Sequence, residues 1–460
     1  MHGDWAGPGQ YDFHDLDNEV YGVLAPIPDA YVIVSVSESV PPAWWALRHP
    51  DQLVQDQEGR AQYSVGRGLY SRRYVEPKEM SAFLDKQVKA DHYYKRRGAK
   101  WPGFFMPSPA STKYHADMRD FLAALRRHIE AQPYGVAVIG YWLGWGVDGQ
   151  WHMANDVGAT AEGSHFTDYS PAMLARFRQY LRARYRTDEA LRRAWDDPRV
   201  TMETAALPPP AMHKVSRSRQ DDYLLDPAAD RMLIDYRECE SLCIGETLNA
   251  LGKAIKEAGP RKVLTVAYYP DISGNCTGNA GHQSGHDVVL SSPYLDIAGN
   301  PGYEARDIGQ GGMTGLSHDS YALHGKLSMT ECDHRVFTVV HRQYCNNILF
   351  DTPRKTASVL QREFARAICN GGGWWTYDMG LGWFDDPIIA RIVGQGRRVF
   401  TKCLDVDRSS VAKFGVFFGE YGKMVQADER NGMIPLTLVG RLRAMLPQMG
   451  VPHEVYRMTD

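Results

Sequence analysis

Short apolar runs alternate with amphipathic segments over most of the chain. The runs are rich in Val, Ile and aromatic residues, as strands covered on both faces are. The segments between them place apolar residues at helical spacing. We predict strands over residues 31–36, 136–145, 263–269, 295–298, 327–330 and 373–378, and helices over residues 16–24, 111–130, 170–185, from 187 onward, 226–258, 355–369 and 387–400. Helices that alternate with strands in this order predict a parallel sheet.

Two parts of the chain depart from this alternation. Residues 51–109 form a long connection, rich in aromatic residues and Arg, and structureless loops of that length are uncommon unless they are functional. After residue 410 the pattern restarts with a strand over 411–418, a helix over 436–450 and a strand that begins at 453. We therefore predict a barrel-type domain over residues 1–405 and the beginning of a second, flavodoxin-like α/β domain over 406–460.

Composition narrows the function classes. The chain has 43% hydrophobic and 23% charged residues and a net charge of -3, so it lacks the basic excess that nucleic-acid binding requires. Its seven cysteines include no Cys-x-x-Cys spacing, and we predict no disulfide framework, no metal and no cofactor. No apolar run reaches the roughly 20 residues that span a bilayer, and the N-terminus has no secretory pattern. We expect the protein to lie in the cytoplasm and to have no membrane partner.

Candidate chemistry lies at the ends of two predicted strands. Glu331 follows the apolar run 327–330, and the strand over 136–145 opens into a loop rich in Gly and Trp around Gln150. In parallel α/β barrels the active site is built from the C-terminal ends of the strands. Aromatic faces there can pack on sugar rings. The candidate substrate contacts are Trp145, Trp151, Asn155, Tyr268, Asn300, His334, Trp374 and Trp375.

The order of several motifs resembles clan A glycoside hydrolases, and most closely the β-galactosidases of glycoside hydrolase family 42 and their relatives. The resemblance covers most of residues 11–400 as a pattern, and no single motif in it is decisive. It is carried by Tyr11-Asp12-Phe13 with Leu16-Asp17, Pro41-Pro42-Ala43-Trp44-Trp45 with His49-Pro50-Asp51, Val138-Ile139-Gly140-Tyr141, the run 177–195 and the run 372–383.

The resemblance implies a (β/α)8 TIM-type barrel and a retaining β-galactosidase mechanism. The family's Tyr11 motif follows strand two, so the strand over 31–36 becomes strand three and the strand over 327–330 becomes strand seven. Glu331 then occupies the nucleophile position after strand seven, and Gln150 occupies the acid/base position after strand four. Strands one and two have no counterpart, so the barrel is expected to be N-terminally incomplete, and a lost signal peptide stays open.

Gln150 leaves three function classes open, because an amide cannot transfer a proton. The first is a retaining glycosidase weakened at this position, with Asp148 and Asp333 as the alternatives for the missing acid. The second is a catalytically impaired pseudoenzyme that binds sugar. The third, an aldolase or isomerase, would need a Schiff-base Lys or a metal set at the strand ends. A simpler interpretation of Glu331 is a rim carboxylate paired with Arg335 or His334. The expected partner is a carbohydrate, and a homo-oligomer stays open.

Overall fold

The structure is a computed structural model. It describes residues 5–36, 39–65, 72–90, 103–146, 149–151, 156–160, 163–213, 224–269, 285–301, 307–311, 317–339, 350–378, 382–425, 442 and 445–460. Contacts divide the chain into two compact units. The first unit takes in residues 1–267, 278–295 and 421–431, and the second takes in 268–277, 296–420 and 432–460.

Helices and strands alternate through both units. The strands are β1 (Trp5–Gly7), β2 (Gln10–Tyr11), β3 (Val32–Val36), β4 (Ala61–Val65), β5 (Arg72–Val75), β6 (Gly103–Phe105), β7 (Val138–Leu143), β8 (Asp156–Thr160), β9 (Gly163–His165), β10 (Leu264–Tyr268), β11 (Ile297–Pro301), β12 (Leu327–Cys332), β13 (Gly373–Thr376), β14 (Phe414–Phe418) and β15 (His453–Arg457). The α-helices are α1 (His14–Leu24), α2 (Ala43–Arg48), α3 (Met80–Ala90), α4 (Thr112–Ala131), α5 (Pro171–Tyr185), α6 (Asp188–Trp195), α7 (Arg231–Glu257), α8 (His286–Leu290), α9 (His318–Leu323), α10 (Pro353–Cys369), α11 (Pro387–Cys403) and α12 (Tyr421–Met424).

Six parallel strands carry the site region. In the first unit β3 pairs with β7, and β7 pairs with β10. In the second unit β11 pairs with β12, and β12 pairs with β13. Directly after β10, the Tyr269 N–H donates to the Gly299 carbonyl of β11 at 3.1 Å. Within the first unit the order β3-β7-β10 and within the second the order β11-β12-β13 confirm the predicted order of the strands, and parallel pairing of successive strands is typical of a (β/α)8 barrel.

Local capping signals explain where several helices begin. The Ser170 hydroxyl accepts a hydrogen bond from the Met173 N–H at 3.1 Å, and Pro171 occupies the first turn of α5. Ser111 caps α4 in the same way through the Tyr114 N–H at 3.0 Å. On α4 the apolar residues at helical spacing are buried, namely Met118, Phe121, Leu122, Leu125 and Ile129. Side-chain caps and apolar spacing in the sequence therefore fix these helices locally.

The connection over 51–109 contains structure that the sequence analysis did not predict. Strands β5, β4 and β6 form an antiparallel sheet in that order, and α3 lies between β5 and β6. Further along the chain, the strand predicted over 295–298 begins two residues later, at Ile297. β14 and β15 pair in parallel, as the predicted second domain requires. Most of the helix predicted over 436–450 lies outside the described residues, so a complete second domain and its boundary at residue 405 stay predictions.

Candidate active site

The two faces of β12 have different surroundings. Cys332 packs in an apolar cluster with Leu360 of α10 and with Ile389 and Ile392 of α11. Because side chains alternate along a strand, Thr330 and Ser328 share the helix-facing side with Cys332, whereas Glu331 faces the opposite side. The carboxylate is thus turned away from the helix layer. Its strand is the one that the sequence pattern identified, and Glu331 is its second-last residue.

Three predicted site residues meet on this opposite face of the second unit. The Tyr268 hydroxyl, at the end of β10, donates a hydrogen bond to Oε2 of Glu331. Trp375 of β13 is the parallel partner of Glu331 in register, and its ring centroid lies 5.9 Å from that of Tyr268. Glu331 is only 5% exposed. The result is a nearly buried carboxylate that is oriented by a phenol and flanked by aromatic rings.

Trp374 lies on the other side of the sheet from Trp375. It pairs with Thr330, and its ring centroid lies 4.1 Å from that of Phe364 of α10, with the two rings tilted by 35°. It also packs against the cluster that contains Cys332. Of the two consecutive tryptophans, the one on the Glu331 face is therefore Trp375.

The segment after β12 is held by polar contacts to the helix layer. His334 is fully buried, and its Nε2 lies 3.2 Å from Oε1 of Glu363 on α10. Arg362 donates to the same oxygen from Nε at 3.0 Å and from Nη2 at 2.7 Å. Burial disfavours the Glu363 carboxylate, but the hydrogen bond from His334 and the charges of His334 and Arg362 outweigh it and lower the pKa of Glu363. His334 is thus engaged by a buried carboxylate on α10.

Asp333, one of the two alternative acids, is engaged by a guanidinium. Nη1 of Arg335 lies 2.5 Å from Oδ2 of Asp333, and the same guanidinium stacks 5.3 Å above the ring of Trp383. Trp383 is itself buried. This ion pair engages one of the two carboxylate oxygens of Asp333.

The turn that carries Gln150 belongs to the first unit and is fixed on both sides. Gly149 and Trp151 both adopt positive φ, at 67° and 61°, which is rare for a residue as bulky as Trp. The Trp151 N–H donates to the Trp145 carbonyl at 2.6 Å. Gln150 itself is partly exposed. The turn therefore presents one amide side chain between two anchored neighbours.

Trp145 and Trp151 are the anchors of this turn. Both are 0% exposed, and their ring centroids lie 6.2 Å apart. The Trp151 indole N–H donates to the Leu143 carbonyl at 3.2 Å, and that of Trp145 donates to Pro107 at 3.3 Å. Backbone carbonyls thus accept both indole N–H groups. The burial of the Trp151 ring stabilises the unfavourable positive φ of that residue.

Two carboxyl groups of the first unit, Asp168 and Asp56, are deeply buried. Asp168 is 0% exposed, and burial raises its pKa to about 6 although hydrogen bonds from Ser108 and from the Ser170 and Gln55 N–H groups oppose the rise. Asp56, also 0% exposed, contacts Arg60 at 2.8 Å and Nδ1 of His165 at 3.0 Å. Their positions in irregular segments gave no periodic signal for this burial.

The remaining predicted site residues are only partly described. Asn300 lies in β11 as the partner of Thr330, but its side chain falls outside the described residues, as do Asn155 and Asp148 entirely. Within the described ranges, no group of three or more His, Cys, Asp or Glu side chains could hold a metal ion. Among the helices described, none is long and apolar enough to cross a membrane.

Sequence comparisons give no relatives for this chain: no family profile and no curated protein matches it. Solved structures do match. A cold-adapted β-galactosidase from Rahnella is 14% identical with a TM-score of 0.56, and the match covers 99% of this chain and 59% of that one. A family 42 exo-carrageenase from Bacteroides ovatus is 12% identical with a TM-score of 0.57, over 99% and 55% of the two chains.

A third matching structure is the catalytic domain of a β-amylase from Paenibacillus polymyxa. It is 12% identical with a TM-score of 0.51, and the match covers 87% of this chain and 89% of that one. The chain spans about three fifths of the length of the β-galactosidases that it matches. At these identities the likeness concerns the fold and leaves the substrate open. The chain therefore shares its fold with the family 42 β-galactosidases and with related barrel glycoside hydrolases.

Proposed function

We propose that the protein is a retaining glycoside hydrolase of the β-galactosidase type, which acts on β-linked galactosides or related glycans. The observation that supports this most is the cluster of Glu331, Tyr268 and Trp375. A carboxylate that is shielded from water, held by a phenol donor and flanked by an aromatic ring is suited to attack an anomeric carbon. The resemblance assigns the nucleophile to the same residue.

Each residue of the cluster has a role in this proposal. Glu331 attacks the anomeric carbon and becomes the ester oxygen of a glycosyl-enzyme intermediate. Tyr268 positions the attacking carboxylate through its hydrogen bond. Trp375 offers the sugar a flat face, and Asn155 and Asn300 remain candidates for contacts with sugar hydroxyls.

The other predicted site residues support the site indirectly. Trp145 and Trp151 hold the turn of Gln150, and Trp374 and His334 anchor β13 and the segment after β12 to α10. Gln150 takes the acid/base position that the resemblance assigns to it. Because an amide neither donates nor removes a proton in this step, Gln150 also favours a second candidate function, a sugar-binding protein with impaired turnover.

A trapping experiment separates these two functions. A 2-deoxy-2-fluoro-β-galactosyl fluoride should form an ester with Glu331, which mass spectrometry of a digest locates. The Glu331→Gln protein should form none. Glu257→Gln is the matched control, since Glu257 also accepts a tyrosine hydroxyl, from Tyr294 at 3.1 Å, and should leave labelling unchanged.

Turnover gives an independent reading. An activated aryl galactoside should release a burst of phenol followed by a slow phase, and azide should accelerate the slow phase because it attacks without a base. Gln150→Glu should raise the slow phase. Calorimetric binding of galactosides without an adduct in either protein, and with the same rate in both, would leave the sugar-binding function and refute the hydrolase.

A further inference from the structure

The turn at Gln150 is fixed by its flanking residues. Trp151 is held by its own N–H on the Trp145 carbonyl and by its indole on Leu143, and the Gly149 N–H reaches the Gly146 carbonyl at 3.3 Å. Both anchoring indoles are buried. A turn fixed in this way cannot easily bring another residue to the point that Gln150 occupies. The position that the resemblance assigns to proton transfer is therefore filled by an amide in a preorganised place.

The described carboxyl groups that are candidates for a replacement acid are buried or paired with a cation. Asp168 and Asp56, which belong to the same unit as Gln150, are both 0% exposed and bonded within the protein. Asp333, in the other unit, is paired with Arg335 at 2.5 Å. Asp168 and Asp56 are too deeply buried to reach a substrate without a rearrangement, and Asp333 would have to leave Arg335. None of them is presented as Gln150 is, in a turn with a partly exposed side chain.

From this arrangement we infer the class of substrate, on the basis of the proposed hydrolase function. The natural substrate is a glycoside whose aglycone leaves as a stabilised anion, namely an acidic phenol or a thiol. General acid catalysis contributes about 10²- to 10⁴-fold when the leaving group is a poor one such as a sugar hydroxyl. An aglycone that is stable as an anion needs little of that help, so the amide at position 150 costs the reaction little.

The first chemical step requires no proton transfer. An Oε of Glu331 forms a bond to the anomeric carbon, the bond from that carbon to the aglycone oxygen or sulfur breaks, and the aglycone leaves with the electron pair as phenolate or thiolate. In the second step water attacks the anomeric carbon and the ester bond to Glu331 breaks. The proton of that water passes to a small anionic base from solution, such as acetate or formate.

A series of aryl β-galactosides tests the inference on the intact protein. As the aglycone becomes less acidic, kcat/KM of the wild type should fall steeply, whereas that of Gln150→Glu should fall much less. Gln150→Glu should raise kcat/KM for an alkyl O-galactoside by about 10²-fold or more, the range of general acid catalysis. It should leave kcat/KM for the matching aryl thiogalactoside, which reports on the first step alone, within a few-fold of wild type. Gln361→Glu, which adds the same charge at an exposed position on α10, should change neither.

Measurements on the wild type alone keep the inference testable if the Gln150→Glu protein does not fold. The slow phase of turnover should rise in proportion to added acetate or formate at constant pH and ionic strength. A shallow dependence on aglycone acidity, or equal rates on alkyl and aryl galactosides, would overturn the substrate assignment while an adduct on Glu331 still stood. Absence of that adduct with every aryl β-glycoside tried would instead overturn the hydrolase function itself.

Discussion

Arg126 is the most heavily engaged buried cation of the first unit among the described residues, and its replacement by glutamine should destabilise that unit. The guanidinium is 0% exposed and donates to Glu130 at 3.0 Å. It also donates to four backbone carbonyls in the last turn of α7 and just after it, those of Ile255, Lys256, Gly259 and Arg261. The Arg126 side chain thus links α4 to the C-terminal end of α7 and to the segment that precedes β10.

The size of the effect follows from what the substitution leaves behind. Glu130 keeps a second partner, since Nε of Arg261 lies 3.7 Å away, so the main loss is at the carbonyls. Removing one member of a buried, hydrogen-bonded ion pair costs about 3–5 kcal/mol. We expect Arg126→Gln to lose about 4 kcal/mol, because glutamine can satisfy only a part of these acceptors. For a large unit that corresponds to a fall in Tm of about 8 °C.

Differential scanning calorimetry of the intact protein measures this loss, and hydrogen exchange at the end of α7 locates it. Arg127→Gln is the matched control, because Arg127 is the next residue on α4 and is exposed. It should change Tm by less than about 2 °C, as surface substitutions away from special features do. A Tm for Arg126→Gln equal to that of the control would refute the argument that these carbonyls depend on the guanidinium.

Two further predictions concern Tyr268 and His115. Tyr268→Phe removes a hydrogen bond to the Glu331 carboxylate, and a bond of this kind is worth about 1.5–3 kcal/mol. We therefore expect kcat/KM to fall by roughly 10- to 100-fold. Tyr294→Phe, the matched control, should leave kcat/KM unchanged. An unchanged kcat/KM would remove Tyr268 from the site. Burial lowers the pKa of His115 to about 4, although a backbone hydrogen bond at Pro109 opposes this, so protonation favours the unfolded chain between pH 6.5 and 4. The free energy of unfolding should therefore be highest above pH 6.5 and fall by roughly 3 kcal/mol toward pH 4. In calorimetry His115→Gln should make this fall smaller, whereas His14→Gln, at an exposed position, should not change it.

The strand order could be predicted from sequence because the signals that set it are local. Apolar runs such as that before Glu331 and caps such as Ser170-Pro171 need no knowledge of distant residues. The sheet of β4, β5 and β6 was missed because its short strands are interrupted by Arg and Gly and gain their stability from pairing with one another.

Side-chain direction at the site could be predicted less well. Trp374 and Trp375 are consecutive, and only the register with β12 decides which of them shares a face with Glu331. The sequence gives only a weak signal for Glu363, which is a charged residue in the buried stripe of α10. Its partner, His334, is 29 residues away in the chain. Pairings of this kind depend on tertiary packing, which periodicity does not contain.

The fixed turn around Gln150 also has a genetic consequence. A single nucleotide change in the codon converts glutamine to glutamate, and the described backbone hydrogen bonds that hold this turn come from Gly149 and Trp151. The exchange is nearly isosteric, so a lineage can cross between the two chemistries without rebuilding its fold. We expect natural variants at this position to divide according to the acidity of the aglycones in their habitats, with little change elsewhere in the turn.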